Sequence, residues 1–372
     1  MIAAGTMVID GRTCRPGWLE TSGGRIAACG AGPPPRPADR DFPDCTVVPG
    51  FIDMHVHGGG GASYTDGPTD GEGIADAASF HLRHGTTTTL ASLVTASPED
   101  LLSGVRALAE ATRRGVVAGI HLEGPWLSRA RCGAHDPNRM RDPHAAEIDA
   151  VLAAGDGAIR MVTLAPELNG ADDAIRRLAD AGVVVALGHT DATYEQTQHA
   201  IALGATVGTH LFNAMPPLHH REPGPALALL RDSRVIVELI ADGVHVHPEV
   251  VHAVIEAAGP DRVAAVTDAI AAAGCDDGAF RLGAMPVDVV SGVARVRGTS
   301  TIAGSTATMD RLFGNVAAAA GLAAAAQTTA ATPARALGLE RVGELRAGYD
   351  ANLVVLDDAS RVEAVMTRGD WR

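Results

Sequence analysis

From residue 50 onward, short runs of apolar and β-branched residues alternate with longer stretches rich in Ala, Leu and Arg. This alternation is typical of successive strand–helix units that build a parallel sheet. Eight such runs occur, at 50–56, 86–94, 116–122, 159–164, 183–187, 205–209, 235–240 and 263–267. Polar residues follow nearly every run. The pattern therefore predicts an α/β fold, a (β/α)8 TIM barrel whose functional groups lie at the carboxyl ends of the strands.

The two ends of the chain show a different pattern. Residues 1–48 predict short strands with turns, and the chain returns to strand at 351–356. Between the barrel and this last strand, the pattern predicts a hairpin at 280–297 and a helix at 308–320. Because chain termini commonly lie close together, we expect both ends to pair in one small, discontinuous β-sandwich. The predicted domains are 1–49 and 335–372 for this β-sandwich and 50–334 for the barrel.

Composition narrows the function classes. The net charge is −14, with 30 basic and 44 acidic residues, and no basic run interleaves with aromatic residues, which argues against a nucleic-acid surface. The amino terminus lacks the pattern of a secretory signal, and the most apolar stretch, 316–326, is shorter than the roughly 20 residues of a membrane span. The five cysteines are scattered, without a CxxC pair. These features predict a cytoplasmic protein that binds neither nucleic acid nor membrane.

Candidate metal ligands follow four of the eight runs. His55 and His57 end the first run, and residues two apart in a strand face the same side, so both imidazoles are expected to face one metal. Glu123, His189 and His210 follow the third, fifth and sixth runs and match the three-ligand, open-position pattern of catalytic zinc. A lone HxH pair is often an ordinary pair of strand histidines, and the other three residues are also compatible with a hydrogen-bonded core. Their shared position at strand ends favours a metal site.

The chain contains no lysine, which excludes a carbamylated lysine as a bridge between two metals. Glu123 is then the natural bridging ligand if His55 and His57 hold a second ion. Asp268 follows the eighth run, where a carboxylate beside an activated water accepts its proton and later protonates a leaving amine. The alternative for Asp268 is a helix N-cap, and the sequence does not separate the two roles.

Several motifs occur together and in order along nearly the whole chain. They are PGFIDMHVHGGGG at 49–61, HLEGPWL at 121–127, GAHDPN at 133–138, GHT at 188–190, HLFNAMP at 210–216, REPG at 221–224, ADGVH at 241–245 and IAGS at 302–305. This set resembles the N-acetylglucosamine-6-phosphate deacetylase family of the amidohydrolase superfamily. The resemblance implies a homodimeric, metal-dependent hydrolase whose fold is a barrel flanked by a β-sandwich. Its reaction converts N-acetylglucosamine 6-phosphate to glucosamine 6-phosphate and acetate with metal-activated water, in amino-sugar catabolism and recycling.

The resemblance also implies residue roles. Glu123, His189 and His210 would bind the main metal, Asp268 would be the acid/base, and His135 would help to polarise the acetamide carbonyl. Arg221 would contact the phosphate from the neighbouring subunit, and a guanidinium suits that task because it forks onto phosphate. Taken alone, Arg221 is better explained as a surface arginine that caps a loop, and its REPG context after HLFNAMP favours the phosphate role. The matching substrate-binding positions are Ala134, His135, Asn213, Ala214, Arg221, Asp242, Gly243, Val244, His245, Ile302, Ala303 and Gly304.

Alternatives stay open at this point. The cofactor is expected to be a divalent metal, Zn²⁺ first, with one or two ions per subunit, since some members of the resembled family lack the HxH histidines and use one metal. Another amidohydrolase, acting on a cyclic amide or on an epimeric acetamido sugar phosphate, is a second reading, and a non-catalytic sugar-phosphate sensor is a third. The missing lysine argues against a cyclic amidase. The sequence leaves open the epimer preference, the dimer interface and any redox role of Cys132.

Overall fold

A computed structural model describes residues 1–65 and 71–372 of the chain. In chain order the strands are β1 (Ile2–Ile9), β2 (Arg12–Cys14), β3 (Gly17–Ser22), β4 (Arg25–Ala31), β5 (Arg40–Pro49), β6 (Phe51–Asp53), β7 (Gly58–Gly59), β8 (Ala62–Ser63), β9 (Thr86–Leu93), β10 (Gly119–Glu123), β11 (Ile159–Leu164), β12 (Val184–Leu187), β13 (Ala205–Gly208), β14 (Ile236–Leu239), β15 (Val263–Ala265), β16 (Gly278–Leu282), β17 (Met285–Val290), β18 (Val293–Val296), β19 (Leu353–Leu356), β20 (Val362–Thr367) and β21 (Asp370–Trp371).

The helices alternate with the barrel strands over most of the chain. They are α1 (Gly71–Arg83), α2 (Pro98–Arg113), α3 (Ala145–Gly155), α4 (Ala171–Asp180), α5 (Tyr194–Leu203), α6 (Gly224–Arg231), α7 (Pro248–Ala258), α8 (Met309–Ala320), α9 (Leu322–Ala326) and α10 (Thr332–Ala336). Helix α4 shows why they pack: Ala171, Ala174, Ile175 and Leu178 are buried on one face, at the spacing of an amphipathic helix. None of the described helices is both long and apolar enough to cross a membrane.

The TIM barrel that the sequence predicts is confirmed. Eight strands lie side by side in the order β15, β14, β13, β12, β11, β10, β9, β6, and neighbouring strands in this order are parallel. Backbone bonds link the two outer strands just past their ends, because Asp268 N–H donates to the His55 carbonyl at 2.9 Å and His57 N–H to the Ala269 carbonyl at 2.8 Å. The carboxyl ends of all eight strands therefore surround one mouth.

The first predicted run is longer than the strand that forms. Strand β6 ends at Asp53, so His55 and His57 lie in irregular backbone beyond it. Asp53 explains the end of the strand, since its buried carboxylate accepts hydrogen bonds from the His55 and Thr267 amides, both at 3.3 Å. The prediction that His55 and His57 lie within one strand is therefore wrong, although their side chains do converge.

Strands from both chain ends share one sheet, as the sequence predicts. Its order is β21, β20, β19, β5, β1, β3, β4, with β2 paired to β1. The two ends meet where β19 runs antiparallel to β5, with Val354 opposite Val48. Ile2, Leu19 and Leu353 belong to the apolar cluster that packs on this sheet. The domain limits at residues 49 and 334 stay a prediction.

The segment predicted as a hairpin forms three strands, β16 to β18, joined by two turns. The second turn is at Ser291 and Gly292, whose φ angles of 52° and 73° match the two positive values of a tight hairpin turn. Leu282 and Val287 of this small sheet pack on Ile270, just past the end of β15. The sheet therefore lies beside the barrel mouth and contributes one wall to it. The predicted helix at 308–320 is confirmed as α8.

Candidate metal centre and active site

The predicted metal ligands meet at the floor of a cavity of about 440 Å³ in the barrel mouth. Glu123 ends β10, while His189 and His210 each lie two residues past a strand, and Asp268 lies three residues past β15. His189, His210 and Asp268 have positive φ angles of 47°, 24° and 48°. Non-glycine residues rarely adopt this backbone, and such strain is concentrated at functional sites. The strand ends thus aim these side chains at one point.

Glu123 lies at the centre of the cluster, and both of its carboxylate oxygens contact histidines. Oε1 is 3.1 Å from His189 Nε2 and 3.0 Å from His210 Nε2. Oε2 is 3.1 Å from His57 Nε2. Asp268 Oδ1 is 3.2 Å from His57 Nε2, and His55 Nε2 is 3.3 Å from His57 Nε2. The six side chains therefore form two adjoining groups that share Glu123.

These spacings fit divalent cations. With metal–ligand bonds of 2.0–2.1 Å, neighbouring ligand atoms of a tetrahedral site lie about 3.3 Å apart. One group of donors is formed by His55, His57, Glu123 and Asp268, all buried. In the other, the Nε2 atoms of His189 and His210 lie 3.1 Å apart and both face Glu123. A metal would hold such lone pairs together, and without it at least one nitrogen must carry a proton.

The hydrogen bonds on the far side of the imidazole rings support the same conclusion. His57 Nδ1 lies 3.2 Å from the Ser92 carbonyl, and His189 Nδ1 lies 2.8 Å from the Arg131 carbonyl. A carbonyl oxygen only accepts, so each Nδ1 donates and leaves Nε2 unprotonated when the ring is neutral. This is the tautomer and the outer contact typical of metal-binding histidines.

The two buried carboxylates of the cluster, Glu123 and Asp268, favour a positive charge beside them. Burial by itself would raise the pKa of Glu123, yet the interactions with His55 and with His135, which includes a hydrogen bond, hold it well below its usual value. The pKa of Asp268 is lowered to about 2 by the same competition, with His55 and His57 outweighing burial. In turn Asp268 and Glu123 raise the pKa of His57 to about 9, against the effect of burial. A divalent cation supplies this charge and lets the histidines stay neutral.

His135 also faces Glu123, with Nε2 at 3.2 Å from Oε2, and with His189 it forms another possible donor group. Its other nitrogen decides its role. Thr95 N–H donates to His135 Nδ1 at 3.2 Å, so Nδ1 lacks a proton and the neutral ring carries its proton on Nε2. Burial also lowers the pKa of His135 to about 4. His135 is therefore a neutral hydrogen-bond donor aimed into the cavity, which suits a substrate carbonyl better than a metal.

The predicted substrate-binding residues fall into two sets, those that line the main cavity and those that lie beside or behind it. The cavity is lined by Ala134, His135, Asn213, Ala214, His245, Ile302 and Gly304, whereas Ala303 is buried behind it. Asp242 and Val244 line a small neighbouring cavity with His245, and Gly243 is exposed. Asp242 organises this loop, because it accepts from the Val244 and His245 amides, both at 2.8 Å.

Arg221 is not among the cavity-lining residues that the structure describes. It lies in an exposed loop, and its guanidinium contacts His220 at 2.8 Å. The arginine that does line the cavity is Arg131, which is paired with Asp191 at 2.8 Å. The structure therefore brings together the metal ligands, Asp268 and His135, and it leaves the predicted phosphate contact outside.

Sequence reasoning missed several residues of this site. Glu238, on β14, contacts His55 and is fully buried, and the only signal for it was a charge inside the apolar run VIVELI. Thr95, which sets the tautomer of His135, and Arg131 carried no signal that separates them from other loop residues. Their roles depend on contacts between distant segments of the chain.

Comparisons with known proteins agree with this geometry. A model of the amidohydrolase family matches residues 46–372. The chain belongs to the amidohydrolase family. It is 38% identical over 346 residues to N-acetylglucosamine-6-phosphate deacetylase of Bos taurus, covering 89% of this chain and 84% of that protein. It is 37% identical over 363 residues to N-acetylgalactosamine-6-phosphate deacetylase of Escherichia coli O157:H7, covering 95% of both.

Solved amidohydrolase structures extend the similarity to the whole chain. N-acetyl-D-glucosamine-6-phosphate deacetylase from Mycobacterium smegmatis, solved as a point mutant in complex with N-acetyl-D-glucosamine-6-phosphate, superimposes with a TM-score of 0.97 at 54% identity. The match covers 100% of this chain and 98% of that one. The Thermotoga maritima N-acetylglucosamine-6-phosphate deacetylase has a TM-score of 0.88 at 30% identity, with 98% and 97% covered. The family resemblance predicted from the motifs is confirmed.

Proposed function

We propose that this chain hydrolyses the acetamide group of N-acetylglucosamine 6-phosphate, releasing acetate and glucosamine 6-phosphate in amino-sugar catabolism and recycling. One observation carries the proposal: five buried ligand-type side chains converge on Glu123 at the floor of a cavity that His135 and His245 also line. The identity to deacetylases of phosphorylated amino sugars supports the substrate class. The amidohydrolase family supports a metal-dependent hydrolase, and the deacetylase relatives support a linear amide as the bond that is broken.

Two divalent cations, which we propose to be Zn²⁺, would be held by the two groups that share Glu123. His55, His57 and Asp268 would hold one together with Glu123, and His189 and His210 would hold the other, also with Glu123. Imidazole nitrogens and carboxylates at these spacings suit zinc. Such cations act as Lewis acids toward water and toward an amide carbonyl. The donor set also explains why the metal ligands are buried and strained.

Asp268 moves the proton in the proposed reaction. Its lowered pKa favours the ionised form, and it contacts His57 and faces the cavity, where it can accept a proton from the attacking water. The same proton then passes to the amine nitrogen as the carbon–nitrogen bond breaks, so one carboxylate serves as base and then as acid. His135 donates its Nε2–H to the acetamide oxygen and stabilises the negative charge that develops there.

Recognition of the phosphate is proposed to involve a second copy of the chain. Among the residues described, the one arginine that lines the cavity, Arg131, already pairs with Asp191. Arg221 lies on an exposed loop together with Leu218, an apolar side chain that is 53% exposed. We therefore propose a homodimer in which Arg221 of the partner subunit reaches the phosphate. Asn213, Ala214, Asp242 to His245 and Ile302 to Gly304 would contact the sugar, and Ala134 the acetamide.

A second candidate substrate is the epimeric sugar phosphate. The Escherichia coli relative that matches 95% of this chain is an N-acetylgalactosamine-6-phosphate deacetylase. A single inverted hydroxyl leaves the metal chemistry unchanged, so the wall of the cavity decides between the two. A cytoplasmic location stays a prediction, in keeping with five cysteines that form no disulfide.

The test is acetate release by the purified protein from both epimers, measured before chelation, after it and after zinc is restored. Release that depends on metal, from either sugar phosphate, supports the proposed class, and the ratio of kcat/KM values ranks the epimers. If the protein binds the sugar phosphate but releases no acetate, the sensor reading is correct. If it neither binds nor hydrolyses either sugar, the substrate class is wrong.

A further inference from the structure

Glu238 is a buried carboxylate that the proposed reaction does not use. It lies in the apolar strand β14 and has no exposed surface. A carboxylate at such a depth is costly unless hydrogen bonds or charges compensate it. Its Oε1 atom has no hydrogen-bond partner among the described residues, which adds to that cost. A buried carboxylate with one unpartnered oxygen, such as Glu238, calls for a functional explanation.

The other oxygen of Glu238 makes both of its contacts. Oε2 lies 3.1 Å from His55 Nδ1 and accepts the backbone N–H of His210, also at 3.1 Å. His55 follows β6 and His210 follows β13, and these strands flank β14 and β15 in the barrel. One oxygen atom therefore joins the two groups of candidate metal ligands from behind.

We propose that Glu238 is a positioning residue for the metal centre, an inference that rests on the proposed function. Since a carboxylate oxygen accepts, His55 must carry its proton on Nδ1 and present the lone pair of Nε2 to the cation. The negative charge also makes that nitrogen a stronger ligand, as outer carboxylates do in metal sites. The bond to the His210 amide holds the backbone where φ is 24°, an unfavourable value for a non-glycine residue.

The contacts of the other histidines make Glu238 distinctive. His57 and His189 are oriented by backbone carbonyls, those of Ser92 and Arg131. His210 Nδ1 has no partner within the described part of the chain. Glu238 is thus the one among these outer contacts that is made by a side chain, so that a substitution can change it.

The test compares metal affinity in three proteins: wild type, Glu238→Gln and Glu147→Gln. Glu147 is a partly buried carboxylate away from the cluster, paired with Arg141, and serves as the matched control. Affinity for Co²⁺ and Zn²⁺ is measured by competition with a chelator, with no substrate present. Glu238→Gln should bind about 10- to 100-fold more weakly, the effect typical of lost outer ligands, and Glu147→Gln as tightly as wild type. Wild-type affinity in Glu238→Gln overturns the proposal.

A double-mutant comparison tests whether Glu238 acts through the histidine. In a His55→Asn background, the Glu238→Gln substitution should cost much less affinity than it does alone. A cost of the same size in both backgrounds overturns the proposal. Circular dichroism and thermal unfolding of the metal-free proteins show whether each variant folds.

A measurement on the wild-type protein tests the same inference if the Glu238→Gln variant does not fold. The His55 Nδ1–H should give a protected proton resonance downfield of the backbone amides, and His55→Asn should lack it. Absence of such a resonance in the wild-type protein overturns the proposal. None of these measurements uses turnover, so a protein that binds metal as expected but releases no acetate contradicts the proposed function alone.

Discussion

The floor of the cavity and its phosphate end are built in different ways. At the floor, Glu123, His55 and Asp268 are buried, lie just at or past strand ends and are held by hydrogen bonds to other strands. At the phosphate end, Arg221 lies in an exposed loop and outside the cavity of its own chain. The comparison teaches that one chain brings the candidate metal ligands together by itself, whereas the proposed recognition of the phosphate would depend on a loop and on a second copy of the chain. Rigid strands suit chemistry, and loops suit recognition.

The largest effect is expected from breaking the floor. Glu123→Gln keeps the size of the side chain but removes the charge that both metal groups share. Acetate release should fall about a thousandfold or more, because metal activation supplies several kcal/mol and each 1.4 kcal/mol is tenfold. Chelation of the wild type should give the same loss, and zinc should reverse it. Metal content by elemental analysis checks the cause, and full activity with no bound metal would contradict the assignment.

Asp268→Asn should separate proton transfer from metal binding. The amide keeps the shape of the side chain but cannot accept the proton from water, so kcat should fall about 10²- to 10⁴-fold. The group of Glu123, His189 and His210 does not include Asp268, and at least one cation per chain should stay bound. Turnover and metal content are measured on the same sample. Turnover close to wild type would show that Asp268 is only a ligand or a cap.

Arg221→Ala tests the phosphate end. Since a hydrogen bond to a charged group contributes about 1.5–3 kcal/mol, KM for the phosphorylated sugar should rise about 10- to 100-fold. The unphosphorylated sugar should be affected little. Arg176→Ala, an exposed arginine on α4, is the control. An equal rise in KM for both sugars would contradict a phosphate contact.

Heterodimers of two variants test whether Arg221 acts in the active site of the neighbouring subunit. If Arg221 serves the neighbouring copy, one active site of an Arg221→Ala and Asp268→Asn heterodimer has both residues intact. Mixing the two inactive or weak variants under conditions that allow subunit exchange should therefore restore part of the activity at low substrate concentration. No restoration, with heterodimers detected by mass spectrometry, would place Arg221 in its own subunit or outside the site.

The smallest effect is expected at the loop that carries His135. Glu147 accepts hydrogen bonds from Arg141 Nε at 2.9 Å and from Trp126 Nε1 at 3.1 Å, and Arg141 also donates to the Ala96 carbonyl at 2.9 Å. Glu147→Gln should lower the free energy of unfolding by about 1.5–3 kcal/mol, the range for a hydrogen bond to a charged group. Urea unfolding at neutral pH checks this value.

The same pair gives a pH dependence with a defined sign. Burial would raise the pKa of Glu147, but the bonds from Arg141 and Trp126 outweigh it and lower the pKa. A lowered pKa stabilises the fold above the pKa of the unfolded chain, and this contribution is lost as the pH falls through the folded value. The stability difference between wild type and Glu147→Gln should therefore shrink in acid. A difference that grows on acidification would contradict the sign.

The sequence alone predicted the barrel and the location of its chemistry. Strand-length apolar runs alternating with helices leave few other folds, and in a parallel barrel the residues after the strands must meet at one mouth. This rule narrows the 372 residues to a few that follow the strands, with Glu123, His189, His210 and Asp268 among them. The motifs then identified the family, because they occur in order over nearly the whole chain.

Only the tertiary structure decided the contacts behind these residues. The early end of β6 depends on the bond between Asp53 and Thr267, and the tautomer of His135 depends on the Thr95 amide. Glu238 meets His55 across 183 residues of sequence. A local pattern reports which face a residue takes but not which distant atom it meets, because that pairing is set by the closure of the barrel.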